Sequence, residues 1–213
     1  MAPGNQSGQA ETLGPDLSEL YRQFQAINQD THQLLNSLTD TEFNWHPKPG
    51  KWSMAQCFDH LIVTGHLSLT NIQAAISEAR SRGLSGEGPF HYGLVEKWFV
   101  RLMEPPPIIR FKAPKVYAPP PDRALAEIGP AFFSMQDQIL DSLRQADGID
   151  LARAKVRNPV TNLLKLSVGQ EFAFTAAHER RHLWQAQQLK TLAAFRSTDS
   201  HVGMNAEVNR LEE

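Results

Sequence analysis

The sequence predicts an all-α protein: a four-helix bundle of up-down-down-up order, with a long proline-rich crossover between its second and third helices. Three observations predict it. Apolar residues recur at steps of three and four in four separate segments, the period of an amphipathic helix. No run of useful length alternates with the two-residue period of a strand. The links differ in length. Link 39–52 is short and makes helices one and two antiparallel, whereas link 84–121 can run the length of a helix and so lets helices two and three be parallel. Four such helices bury their stripes best against one another.

In the first segment Leu17, Leu20, Phe24, Ile27, Thr31, Leu34 and Leu38 form the stripe, with Asp16 as the expected cap. The second follows Trp52. Ser53 and Gln56 fit a capping box, in which each side chain satisfies the other's backbone N–H. Its seam reads Cys57, His60, Thr64, Leu67, Asn71, Ala74, and the run around Arg80 to Gly83 ends it. The crossover carries EPPP, KAP and APPPD, a short helix expected near Val95 to Met103, and Phe90, Tyr92, Trp98 and Phe99 to pack it onto the body as a wall of the site. The third segment has Leu125, Ile128, Phe132, Met135, Ile139, Ser142 and Ala146 on one face, Asp122 as cap and Gly148 as stop; Pro130 either kinks it or marks its start. The fourth runs from about Leu163 or Ser167 to Ala194, with the seam Val168, Glu171, Thr175, His178, His182, Gln185, Leu189. The expected organisation is a disordered tail over 1–15, one domain over 16–194 and a second tail over 195–213.

Composition narrows the function. The chain has 213 residues, 41% of them hydrophobic and 21% charged, enough for a core without disulfides or structural metal. A net charge of −2 gives no footprint for nucleic acid and no pull toward anionic membranes. No run of apolar residues is long enough to span a bilayer, and no secretory signal is visible at the start. The one cysteine, Cys57, fits a reducing, cytoplasmic setting. The glycines of GLSGEG lack the lysine and hydroxyl residue of a phosphate-binding loop.

Histidines stand where leucine would be expected. His178 and His182 are four apart, about 40° around the helix and about 6 Å along it, so both rings leave one face on consecutive turns and can share a metal ion. His60 occupies a seam of its own on helix two. By chance alone an H-x-x-x-H pair arises about 0.3 times in a chain of this histidine content, so spacing is weak; joint placement on predicted seams is what counts. The other histidines do not share it: His66 is about 240° round from His60, His46 and His91 are in connections, His32 lies beside its seam and His201 is in the tail. A lone buried histidine is otherwise a hydrogen-bonded core residue. His178-Glu-Arg-Arg-His182 also satisfies H-E-x-x-H, but Gln185 and Gln188 stand where a metzincin continues, and no sheet edge precedes it to hold a peptide. Outside a zincin, Glu179 reads as a flanking surface residue.

WHPKPGKWSMAQCFDHL (45–61), HERRHLWQAQQL (178–189, as H-x-x-x-H-L-x-Q) and the proline-rich RLMEPPPIIRFKAPKVYAPP (101–120) together resemble the DinB-like family over residues 16–194. The resemblance implies a metal-binding four-helix bundle in which His60, His178 and His182 match the metal ligands. It implies one divalent ion (zinc, nickel or iron) and a metal-dependent hydrolase or a thiol S-transferase acting on a small molecule, with a low-molecular-weight thiol as co-substrate. It also underlies the expectation of a homodimer. The alternative is a non-catalytic bundle that binds a small ligand or partner. Glu171, two turns before His178, is the candidate catalytic carboxylate, as proton acceptor or as a partner orienting a ligand; otherwise it is a carboxylate at the solvated bundle end. Cys57 is a fourth ligand, a redox-sensitive thiol or a small core residue. Gln185 bonds a ligand ring or fills the seam. Arg110, Lys112 and Lys115 hold an anionic substrate or belong to a solvated loop.

Overall fold

Six helices and no strand occur among the residues that a computed structural model describes: 13–36, 38–109, 117–120, 122–157 and 166–208, with backbone alone for Glu96 and 193–208. Helix α1 spans Pro15–Leu35, α2 Asp40–Asn44, α3 Met54–Ser81, α4 Leu94–Met103, α5 Leu125–Gln145 and α6 Val168–Val208. Arg110, Lys112 and Lys115 lie outside the described residues.

Each start has a local cause. Pro15 opens α1, where a missing N–H costs nothing because the first turn has no partner for it. That places Gly14 at the cap, not Asp16. The Asp16 carboxylate instead accepts the N–H of Phe90 at 3.2 Å and ties the crossover to the start of α1. The short link holds an unforeseen turn of helix, α2, closed by a capping box of Thr39 and Glu42. The Ser53–Gln56 box is present, with both bonds at 3.2 Å. A third box opens α6: the Ser167 N–H meets Gln170 Oε1 at 3.2 Å and the Gln170 N–H meets Ser167 Oγ at 3.4 Å.

Helix α5 corrects two expectations. Asp122 has φ 51 and stands outside the helix; the cap position is Ala124, which offers no side-chain acceptor. Asp40 supplies that acceptor from α2, taking the Leu125 N–H at 2.8 Å. Pro130 lies inside α5, so it does not mark the start. Gly148 follows the end with φ 78, a conformation that suits glycine. Helix α6 runs past the expected boundary at 194, to Val208.

The long helices pack in pairs: α1 against α5 and α6, and α3 against the same two. Phe58 on α3 and Phe132 on α5 meet edge to face at 5.3 Å, both fully buried. The core stripe of α3 is Phe58, Leu61, Gly65, Leu69, Ile72, Ile76 and Ala79. The stripe read through His60 is turned by about one residue from it, roughly 100°. Thr64, Leu67 and Asn71 are half-buried on the flank and Ala74 is exposed. Gly65 makes room for Met135 of α5, since a Cβ there would stand 2.4 Å from Met135 Sδ. Cys57 sits in the core, where burial pushes its thiol up to about 12.

The crossover packs on α6 through one face of α4. Phe99 stacks on Phe174 with centroids 5.2 Å apart, and Glu104 forms a two-pronged ion pair with Arg180. Phe90 is half-buried against the core, as expected. Trp98 is not: with Leu94 and Val95 it faces outward, because only the Phe99 side of α4 has a helix to meet. No described helix is long and apolar enough to cross a membrane.

Candidate metal centre

Helix α3 carries His60 toward α6, and α6 carries His178 and His182 back toward it. The two helices run antiparallel here: His60 faces the two histidines, and two turns further along α3 Ser68 meets Glu171, earlier in α6. Ring centroids are 5.2 Å apart for His60 and His178, 4.9 Å for His60 and His182, and 4.7 Å for His178 and His182. One nitrogen from each ring lies within 4.8 Å of the others. The nearest pair, His178 Nε2 and His182 Nε2, is 3.1 Å apart.

Aromatic side chains flank the group, in which His60 is buried and His178 and His182 are half-buried. Trp52, just before the α3 cap, lies 5.0 Å from the His60 ring and 5.8 Å from His182. Phe174 stacks on His178 at 6.1 Å, continuing the stack from Phe99. The carbonyl of Tyr117, in the returning limb of the crossover, is 3.1 Å from His60 Nδ1. A carbonyl only accepts, so Nδ1 carries the proton and Nε2 of His60 keeps a free lone pair.

Desolvation lowers the pKa of all three rings and favours their neutral form. It lowers His178 to about 3, and the neighbouring His60 and Arg181 add to the effect. It holds His182 well below the usual imidazole range, assisted by His178, His60 and Arg181 and opposed by Gln185. Burial lowers His60 as well, against the opposing pull of the Tyr117 carbonyl and Asp59. Three neutral imidazoles this close together fit a metal ion that takes nitrogen donors.

Glu171 is on the inner face of α6 but apart from this trio. It lies seven residues before His178, about 10 Å along the axis, and accepts the Ser68 hydroxyl at 2.9 Å. Burial raises its pKa, against that hydrogen bond. Cys57 is not in the donor group. Glu179 corrects the reading of it as a surface residue. It is buried, accepts Gln136 Nε2 at 2.6 Å, and is pushed up to about 8 by burial. A second seam on α6 carried the signal: Phe172, Ala176, Glu179, Leu183 and Ala186 step by four and three and are all buried.

The neutral rings set a pH dependence. Each has a folded pKa below its unfolded value of about 6.5, so the unfolded chain binds more protons in acid. Their contribution to stability is fully present above about pH 6.5 and is lost as pH falls toward the folded values, about 3 for His178. Glu171 and Glu179 have raised pKa values and act with the opposite sign, favouring the folded state as pH falls. In metal-free protein, His178→Phe should therefore flatten the loss of unfolding free energy between about pH 6.5 and about pH 4. Urea titrations across that range measure it, and an unchanged slope would contradict the assignment.

Among the described residues, an all-helical fold with three convergent imidazoles on two antiparallel helices defines the class: a helical protein with a histidine group able to hold one metal ion. The model of the DinB superfamily matches residues 23–186, most of the chain, and the chain belongs to that superfamily. No curated protein and no solved structure gives a significant match.

Proposed function

We propose that this protein is a metal-dependent enzyme in which His60, His178 and His182 hold one divalent ion and a small molecule reacts beside it, by hydrolysis or by thiol S-transfer. The observation that carries the reading is the trio itself: three neutral nitrogen donors within 4.8 Å of one another, on two helices only. Such an ion supplies Lewis-acid chemistry, lowering the pKa of a water or thiol at neutral pH.

The chain's own residues do the rest. Trp52 packs beside the His60 and His182 rings, and Phe174 beside the His178 ring. Glu171 is proposed as a proton carrier, acting indirectly, since its carboxyl meets Ser68 rather than a histidine. The bundle order that goes with the proposal is up-down-down-up, and paired contacts support it. Gln23 meets Arg180 and Leu34 meets Lys190, so α1 and α6 run alike. Phe58 meets Phe132 and Gln73 meets Ser142, so α3 and α5 run alike. Tyr21 meets Arg144 and His32 meets Phe133, so α1 and α5 run oppositely. A cytoplasmic setting and a homodimer belong to the same proposal.

The test is a comparison of metal-loaded and chelated protein on two substrate panels: esters and amides in water, and a small electrophile with bacillithiol, mycothiol or glutathione. Turnover that requires both metal and all three histidines is expected on one panel. Metal-loaded protein with no turnover on either would favour the non-catalytic bundle.

A further inference from the structure

The returning limb of the crossover is poor in donors. Pro119 and Pro120 have no N–H, so at these two positions the backbone offers only its carbonyls. Three carbonyls of the limb each meet a different side chain of the body. Gln56 Nε2 donates to the Pro119 carbonyl at 3.4 Å. Asn44 Nδ2 donates to the Arg123 carbonyl at 2.9 Å, while Asn44 Oδ1 accepts the Arg123 N–H at 3.0 Å, so one amide side chain grips both polar groups of that residue. The Arg123 guanidinium pairs at 3.1 Å with Asp59, which is buried and immediately precedes His60. The third carbonyl, that of Tyr117, is the one that meets His60 Nδ1.

We propose that residues 117–120 and 122–124 form a positioning strap: anchored by Asn44, Arg123 and Gln56, it holds the Tyr117 carbonyl on His60 Nδ1 and thereby fixes the ring and the tautomer that leave Nε2 for a metal ion. Asn44 and Arg123 are positioning residues, since neither belongs to the donor group. The inference rests on the metal reading of the trio, but its first readout does not involve metal. The geometry explains why a proline-rich limb returns across the α3 start. An acceptor on the backbone is rigid, cannot be protonated at any working pH and brings no second charge to the site. A ring held through Nδ1–H both points correctly and donates better through Nε2.

The test uses the full chain at neutral pH. Nitrogen NMR of the histidine rings in metal-free wild-type protein should find His60 in its Nδ1–H form; an Nε2–H form overturns the proposal. Asn44→Ala should mix the two tautomers of His60 while leaving His178 and His182 as they were. It should also weaken Co²⁺ binding by about 10–100-fold and shift the visible Co²⁺ bands, with helix content kept. A folded Asn44→Ala protein with wild-type tautomer, affinity and spectrum overturns the proposal. If Asn44→Ala does not fold, Arg123→Met carries the same test from the other anchor: it keeps the side-chain stem and removes the pair with Asp59. Wild-type protein that binds no Co²⁺ would instead sink the metal reading, and the tautomer result would still decide on the strap.

Discussion

His178→Ala should leave the protein folded and almost free of metal. His178 supplies one of three donors, and its ring faces both of the others. Losing a partner that merely orients a ligand typically costs 10–100-fold in metal affinity, so losing the ligand itself should cost more than about 100-fold. Protein loaded with a stoichiometric divalent ion and then dialysed should retain close to one ion per chain in wild type and a small fraction of that in the variant. Helix content should not change. Helix α6 is held by Phe172, Ala176, Leu183, Ala186 and Leu189, and alanine is the best helix former. Equal metal content in the two proteins would remove His178 from the site.

Phe132→Ala should have the largest effect on stability. Its ring is fully buried, meets Phe58 edge to face at 5.3 Å and Phe133 at 5.7 Å, and lies where α5 packs against α3. Truncating such a ring removes its burial and leaves a cavity, at a cost of about 3–5 kcal/mol. Urea unfolding should show that loss as a lower midpoint with a similar slope, because the surface exposed on unfolding hardly changes. The metal affinity of the folded variant should stay near wild type, since Phe132 is not in the donor group. A loss below about 1 kcal/mol would mean that α3 and α5 do not pack as described.

Most of this fold was legible because helices announce themselves by period and by caps. The Ser53–Gln56 box and Gly148 each carry a local physical cause, and both appear in place. Asp16 and Asp122 were misread as caps because a carboxylate near a helix start has other possible partners. Asp16 reaches Phe90, and α5 borrows Asp40 from a helix 85 residues away in sequence. The stripe of α3 was misplaced by one residue because the sequence shows a polar flank and an apolar core as two adjacent periodic sets. Only the neighbours of the helix decide which set is central.

The site divides in the same way. The three histidines were legible from spacing and seam, and they lie together. Glu179 was not, because an acidic residue beside a histidine pair looks exposed until the second seam through Ala176 and Leu183 is counted. The Tyr117 carbonyl had no signal at all, since every residue but its conformation offers the same carbonyl. Its partner Asn44 sits in a short link that the period of the long helices does not describe.

The central claim is that three imidazoles of this chain hold one ion. X-ray absorption at the metal edge of the loaded full-length protein tests it most directly. The account predicts about three nitrogen donors at 2.0–2.2 Å with the outer-shell scattering of imidazole rings, reduced in His60→Ala, His178→Ala and His182→Ala alike. Metal bound without imidazole scattering, or a spectrum untouched by all three substitutions, would contradict it.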